Sequence, residues 1–370
     1  MSDSGARARQ VGIPAALSPA LSLYLDALRL FAALIVFAHH ASYPRFDGAW
    51  LAPLSGFGHE AVVIFFVLSG FVISHVAATR ETTPQTFAVS RLARLWSVAL
   101  PAIGATLVMD ALGRFMHPDL YAGLADTSGN WPASVLFVNE FWTRHLYVGS
   151  NLPLWSLSYE FAYYAMFGIF LFARWRWFGL AVAALLVGPE ILLLGPAWLA
   201  GVVAYRSAHR ERSKSANLAL ACVGLVLALG LGVTKVGNLY ITWRWPQWLG
   251  DKAFDTMGFS ASFLTDNTIA FGIAAHLVGV AGLVHALRVP KALGRWVAKA
   301  SLCTFPIYVF HYPALYFFAA VSYAFTGSLS GWFIGLCSLA LGILVTGPCE
   351  RLRLALKRRV PMTMIRVADR

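Results

Sequence analysis

Arg29 and His40 lie eleven positions apart in one apolar run, Tyr24-Leu-Asp-Ala-Leu-Arg-Leu-Phe-Ala-Ala-Leu-Ile-Val-Phe-Ala-His-His-Ala41. In a helix that separation is about 1100°, three turns and roughly 20° more, so both side chains point the same way with about 16 Å of rise between them. The run is long enough to span a bilayer. An arginine at the centre of a membrane helix costs about 2.5–3.5 kcal/mol on insertion scales. A cation and a titratable ring on one stripe therefore need a polar cavity to face. Such a pair suits anion binding at one depth and proton transfer at another. His39 is turned about 100° off the stripe and is the weaker candidate. Asp26 precedes Arg29 by three residues, within reach of an ion pair on the helix surface. That pair alone, with interfacial histidines, is the purely structural alternative.

Four other groups can join them. Phe65-Phe-Val-Leu-Ser-Gly-Phe71 places Ser69 and Gly70 where helices approach closely. Arg91 and Arg94, in Ser90-Arg-Leu-Ala-Arg-Leu-Trp96, suit either membrane anchoring or a phosphate-bearing cytosolic ligand. Trp155-Ser-Leu-Ser-Tyr-Glu160 carries a carboxylate into an apolar span, where it needs a partner. Glu160 is expected to orient His40 and favour its imidazolium, as carboxylates do in hydrolytic triads. Ser301-Leu-Cys-Thr-Phe-Pro-Ile-Tyr-Val-Phe-His-Tyr-Pro313 puts His311 near mid-membrane, with Pro306 and Pro313 expected to break the helix and free carbonyls. His276, His285 and Asp266 read as structural.

The chain holds no H-E-x-x-H, G-x-S-x-G, P-loop or G-x-G-x-x-G, which weakens metalloprotease, ATPase and Rossmann readings. Cys222, Cys303, Cys337 and Cys349 lie in or beside apolar runs without metal-ligand spacing. They are expected to be free, buried and structural. No metal is expected.

The elements that must hold these groups are membrane helices. Of 370 residues, 58% are hydrophobic and 12% charged, against about a quarter charged in a soluble domain. The fold class is all-α, a polytopic bundle of about ten spans: 22–42, 60–79, 94–114, 151–173, 176–189, 191–206, 215–234, 264–286, 299–321 and 328–348. Residues 134–142 are apolar but too short to cross, and suit a re-entrant or interfacial segment. With the N-terminus inside, 22 of the 29 lysines and arginines fall on the cytoplasmic side, which predicts N-in, C-in. The net charge of +12 is thus a topology signal, and no nucleic-acid partner is expected. Residues 1–21 form a cytoplasmic segment, 22–348 one membrane domain and 349–370 a basic tail expected to lie along the inner leaflet. Tyr240, Trp243, Trp245 and Trp248 in an outer loop suit the interface or stacking on sugars.

The five motifs, Arg29 to His40, Phe65 to Phe71, Arg91 with Arg94, Trp155 to Glu160 and Tyr308-x-x-His311-x-Pro313, resemble in order the acyltransferase 3 family of integral membrane proteins. The resemblance covers nearly the whole chain. It implies transfer of an acyl group, acetyl most often, from a cytosolic acyl-CoA donor to a hydroxyl of an extracytoplasmic glycan or related acceptor at the bacterial inner membrane. No bound cofactor is expected. Some relatives carry an extracytoplasmic esterase-like domain after the membrane part; with roughly 20 residues after its last expected span, this sequence is expected to act without one in cis. The required arginine and histidine of the family's first motif map onto Arg29 and His40. Together, residues and resemblance give His40, Arg29 and Glu160 as catalytic, and Arg91, Arg94, Ser69, Trp155, Ser156, Ser158, Tyr308 and His311 as substrate-binding. The chain departs from the family pattern at Leu302, where a tyrosine is common, and at Leu352, where a proline is common after Glu350-Arg351. A transporter or flippase of a glycan or lipid-linked intermediate is the alternative, since intramembrane charge marks transport paths too; no matched halves support it.

Overall fold

The computed structural model describes residues 17–236 and 256–358. Fourteen α-helices and several single 3-10 turns account for the described residues, with no strand among them. The first five helices are α1 (Pro19–Ala41), α2 (Gly58–Thr79), α3 (Pro84–Met116), α4 (Trp131–Val135) and α5 (Trp155–Phe172). Next come α6 (Arg176–Val187), α7 (Pro189–Leu193), α8 (Gly195–Ala208), α9 (Lys214–Val236) and α10 (Phe263–Val284). The chain closes with α11 (Lys291–Ser301), α12 (Thr304–Thr326), α13 (Gly331–Leu344) and α14 (Thr346–Arg358).

Eight helical stretches among the described residues are long and apolar enough to cross a membrane, so this is an all-α polytopic membrane protein. The expected spans 151–173 and 176–189 correspond to α5 and α6, which are shorter or less apolar than those eight. The helix expected to start at 299 instead breaks at Leu302 and Cys303, between α11 and α12. It does not break at the prolines. Pro306 sits in the first turn of α12, where its missing N–H is not needed. Pro313 lies inside the helix, which runs through it to Gly327 in the left-handed region, φ 68°.

Local sequence fixes where the helices start. Ser18 caps α1 by accepting from the Leu21 amide at 3.2 Å, with Pro19 at the first helical position. Thr83 and Thr86 close a reciprocal capping box at the start of α3. The main core is a cluster of buried side chains from α1, α2, α3, α5, α8, α10 and α12, and a second, smaller one gathers Phe37, Phe46, Tyr121, Tyr312 and Tyr316.

Two glycines set the tightest crossing. A Cβ on Gly70 of α2 would stand 2.0 Å from the Trp198 carbonyl oxygen, and one on Gly201 of α8 would stand 2.0 Å from the Val67 carbonyl oxygen. The two backbones touch, as small residues allow in membrane bundles.

Most of the 134–142 segment is not helical. After α4 the chain turns through Phe137, Trp142 and His145, all with positive φ, a region that non-glycine residues rarely adopt. Of the cysteines, Cys349 is buried, Cys303 and Cys337 are half-buried and Cys222 is exposed, so the expectation of four buried thiols holds only for Cys349. The aromatic outer-loop residues Tyr240 to Trp248 lie outside the described residues.

Candidate functional site

Of the cavities that α1 lines, two hold the candidate residues. The first is lined by Arg29, Ser69, Arg91, Arg94, Ser156, Glu160, Tyr164 and Tyr308, with Val62, Phe65, Phe66 and Phe305 among its apolar walls. It gathers near the N-terminal ends of α1, α3 and α12. Arg29 pairs loosely with Asp26, at 3.7 Å. Arg94 lies over the Phe305 ring, 5.5 Å from its centroid. Arg91 is bound to Glu81 at 2.7 Å and packs against Phe87 and Tyr164. Glu160 accepts from Ser69 Oγ at 3.1 Å and, closely, from the Tyr164 hydroxyl. The Trp198 indole N–H donates to Ser69 Oγ at 3.2 Å, so α8 anchors this network.

The second cavity is lined by Val36, His39, His40, Tyr43, Gly58, His59, Val62, Leu152, Pro153, Trp155, Phe259 and Tyr308. Val62 and Tyr308 line both cavities. Tyr308 is held there by a hydroxyl–hydroxyl bond to Ser156 at 2.7 Å. His39 and His40 both stand in the last turn of α1 and line this space.

A chain of hydrogen bonds fixes the His40 tautomer. His311 Nδ1 lies 2.7 Å from the Tyr308 carbonyl oxygen and 3.1 Å from that of Ile307. A carbonyl only accepts, so His311 Nδ1 carries the proton and its Nε2 is an acceptor. His40 Nδ1 stands 2.8 Å from that Nε2 and must donate to it. The Nε2 of His40 is then left with its lone pair, the arrangement of a general base. His311 itself is buried, 1% exposed, and acts through His40.

His39 has both ring nitrogens engaged, Nδ1 at the Ser55 carbonyl and Nε2 at the Tyr43 hydroxyl, 3.0 Å away. Its ring also fills the space beside Gly58, where a Cβ would meet it at 2.3 Å. Burial raises the Tyr43 phenol above its ordinary value, so it stays a neutral hydrogen-bonding group in this wall.

The structure brings Arg29, Ser69, Arg91, Arg94, Ser156, Glu160 and Tyr308 to the first cavity, and His40, Trp155 and Tyr308 to the second, with His311 behind His40. Two expectations change. The ring partner of His40 is His311, and Glu160 is bonded to Ser69 and Tyr164 instead. Ser158 lines neither cavity: fully buried, it donates to the Phe137 carbonyl at 2.7 Å and accepts from the Glu140 amide at 3.3 Å. It pins the 137–140 turn to α5. Sequence reasoning missed Tyr164, although it sits one helical turn after Glu160, the spacing at which helical neighbours meet. It also missed His59, whose partner Asp266 at 2.9 Å is 207 residues away and leaves no local signal.

The sequence profile described as Acyltransferase domain matches residues 22–349. The chain belongs to the acyltransferase 3 family. Acyltransferase MdmB of Streptomyces mycarofaciens is 33% identical over 153 residues, 39% of this chain and 37% of that protein. Peptidoglycan O-acetyltransferase OatA of Listeria monocytogenes serovar 1/2a (strain ATCC BAA-679 / EGD-e) is 27% identical over 168 residues, 41% of this chain and 24% of that protein. These matches span little more than a third of those relatives at most. No solved structure matches significantly. Within this member of the acyltransferase 3 family, the five motifs that carry the resemblance each contribute residues to the two cavities or, in His311, to the ring behind them.

Proposed function

We propose that the protein moves an acyl group, acetyl first among them, from a cytosolic acyl-CoA to a hydroxyl of an extracytoplasmic glycan or related acceptor, as a multi-pass protein of the bacterial inner membrane. The observation that carries this reading is the shared wall. Tyr308 and Val62 line both the arginine-rich cavity and the His40 cavity, so an anion site and a base lie on one path. The rise from Arg29 to His40 is about 16 Å, close to half of a hydrocarbon core of roughly 30 Å and within reach of a pantetheine arm.

In this mechanism the nucleotide end of the donor stays near Arg91 and Arg94, and Arg29 holds a phosphate or the polar arm. Arg91 is the weaker anchor of the pair, because Glu81 already neutralises it. The thioester reaches past Tyr308. His40 Nε2 takes the proton of the acceptor hydroxyl, whose oxygen attacks the thioester carbonyl. The C–O bond forms, the C–S bond breaks, and the imidazolium returns its proton to the leaving thiolate. His311 accepts the Nδ1–H throughout and keeps the lone pair aimed outward. In a two-step variant His40 itself is acylated first and passes the group on.

Mass spectrometry of surface glycans tests the reading in a deletion strain carrying either the wild-type chain or His40→Ala. The expected result is loss of an acyl substituent from a glycan that is still exported, restored by the wild type alone. Loss of export instead would make the protein a transporter. Radiolabelled acyl-CoA without acceptor separates the two chemical routes: stable label on the wild type and none on His40→Ala indicates the acyl-histidine.

A further inference from the structure

Apart from both cavities, Glu140, His145 and Glu190 converge, each offering one ligand atom within 4.8 Å of the others. Glu140 is in the turn after α4, His145 follows five residues later and Glu190 opens α7. The two carboxylates are buried, with side chains 0% and 1% exposed, while the imidazole is 23% exposed. Glu140 accepts at 2.9 Å from His145 Nδ1, which turns His145 Nε2 toward Glu190. Neither Glu190 oxygen has a hydrogen-bond partner among the described residues, while the His145 ring also meets the Thr256 backbone.

The gap between them is the informative distance. His145 Nε2 and Glu190 Oε1 are 3.6 Å apart, too long for a hydrogen bond of about 2.7–3.2 Å. Two ligand atoms bound about 2.1 Å from a tetrahedral zinc stand about 3.4 Å apart. A carboxylate that orients an imidazole through Nδ1 while Nε2 meets the metal is a recurrent device of zinc sites. Charge points the same way. With both carboxyls ionised, the cluster would keep net negative charge even beside a protonated ring, and buried charge is costly unless balanced. A divalent cation with a neutral imidazole balances both carboxylates. The nitrogen ligand favours a transition metal over calcium or magnesium.

We propose that His145 Nε2 and the Glu190 carboxylate bind a divalent transition metal, zinc as the closest fit, with Glu140 holding the ring. The metal fastens two segments that no single helix connects, and a third is hydrogen-bonded to one of them. The 137–147 turn carries Glu140 and His145. The start of α7 carries Glu190. Ser260 of the 256–260 segment donates to the Glu190 carbonyl at 2.7 Å. That last segment presents Phe259, stacked on Trp155 with ring centroids 4.0 Å apart, and both rings line the His40 cavity. The site therefore supports the His40 cavity from behind, with solvent completing the coordination of the ion.

The test is metal content by plasma mass spectrometry on the full chain, purified in detergent through a tag without histidines. The wild type is expected to hold about one zinc or comparable ion per chain, and Glu190→Gln less than a tenth of that. A second measurement needs no variant: the melting temperature of chelator-treated wild type should rise on adding zinc and fall back with chelator. Wild type without bound metal and with no thermal response to zinc would overturn the proposal, leaving a protonated His145 between the two carboxylates. Equal metal in a folded Glu190→Gln would overturn it too. Neither readout depends on acyl transfer, so the proposed function can fail while this stands.

Discussion

The two cavities share Tyr308 and Val62 and otherwise differ in kind. The one on the expected inner side carries three arginines and one carboxylate. The one on the expected outer side has no arginine or lysine among the described residues that line it and presents imidazole and phenol. A charge-dense chamber suits a ligand that arrives already anionic, such as a phosphate-bearing donor. A chamber of imidazole and phenol rings suits an uncharged hydroxyl and a proton that must move. The difference fits the proposed division, in which binding strength and proton transfer have separate rooms and the acyl carbon would meet the acceptor at their common wall.

The strongest way to break this division is His40→Ala. General-base removal typically costs 10²–10⁴-fold, so acyl transfer should fall by about 10³-fold, with folding, read as melting temperature, nearly unchanged. A variant that keeps a tenth of the rate would remove the base from the outer cavity. Arg29→Ala should cost on the order of 100-fold in kcat/KM, about 2–3 kcal/mol for a charge-assisted contact, and the loss should lie in the donor's KM. A rise in the acceptor's KM alone would put Arg29 in the wrong chamber. Arg29→Lys, which keeps charge and loses the fork, should recover part of the loss.

His311 sharpens the comparison because it acts only through His40. His311→Ala should lower kcat by about tenfold to a hundredfold, the scale of one lost oriented hydrogen bond of about 1.5–3 kcal/mol. His311→Gln, whose amide oxygen can still accept the Nδ1–H, should recover much of it. Equal loss in both variants would mean that His311 does more than orient. The smallest catalytic effect belongs to His39→Ala, expected within threefold of the wild-type rate. Its cost should fall on stability, about 1–2 kcal/mol for two lost hydrogen bonds, seen as a lower melting temperature.

Much of this arrangement is legible in the chain because it is written in single helices. The Arg29 and His40 stripe follows from 3.6 residues per turn, and both do lie on α1. Asp26 pairs with Arg29 at the expected spacing. What was not legible is which helix faces which. Glu160 lies in α5 and His40 in α1, and nothing local says that α12 rather than α5 supplies the ring behind His40. Ser158 fits the same motif as Ser156, yet two residues of helix rotate it about 200° away, onto the Phe137 turn. Glu140 and Glu190 are fifty positions apart, and only the loop through Phe137, Trp142 and His145 joins them. An acidic residue immediately after Gly188-Pro189 in an apolar run was the one local hint.

The contact of Gly70 with α8 has a mechanical meaning. Ser69, the next residue, anchors Glu160 in the inner chamber, and Trp198 of α8 holds Ser69 in turn. With backbone against backbone at Gly70 and Gly201, no clearance is left for α2 to slide or tilt over its neighbour. A carrier works by rocking one half of itself past the other. The α2–α8 crossing offers such rocking little room. In the mechanism proposed above, the acyl arm would then do the travelling, past Tyr308, while these walls stand still.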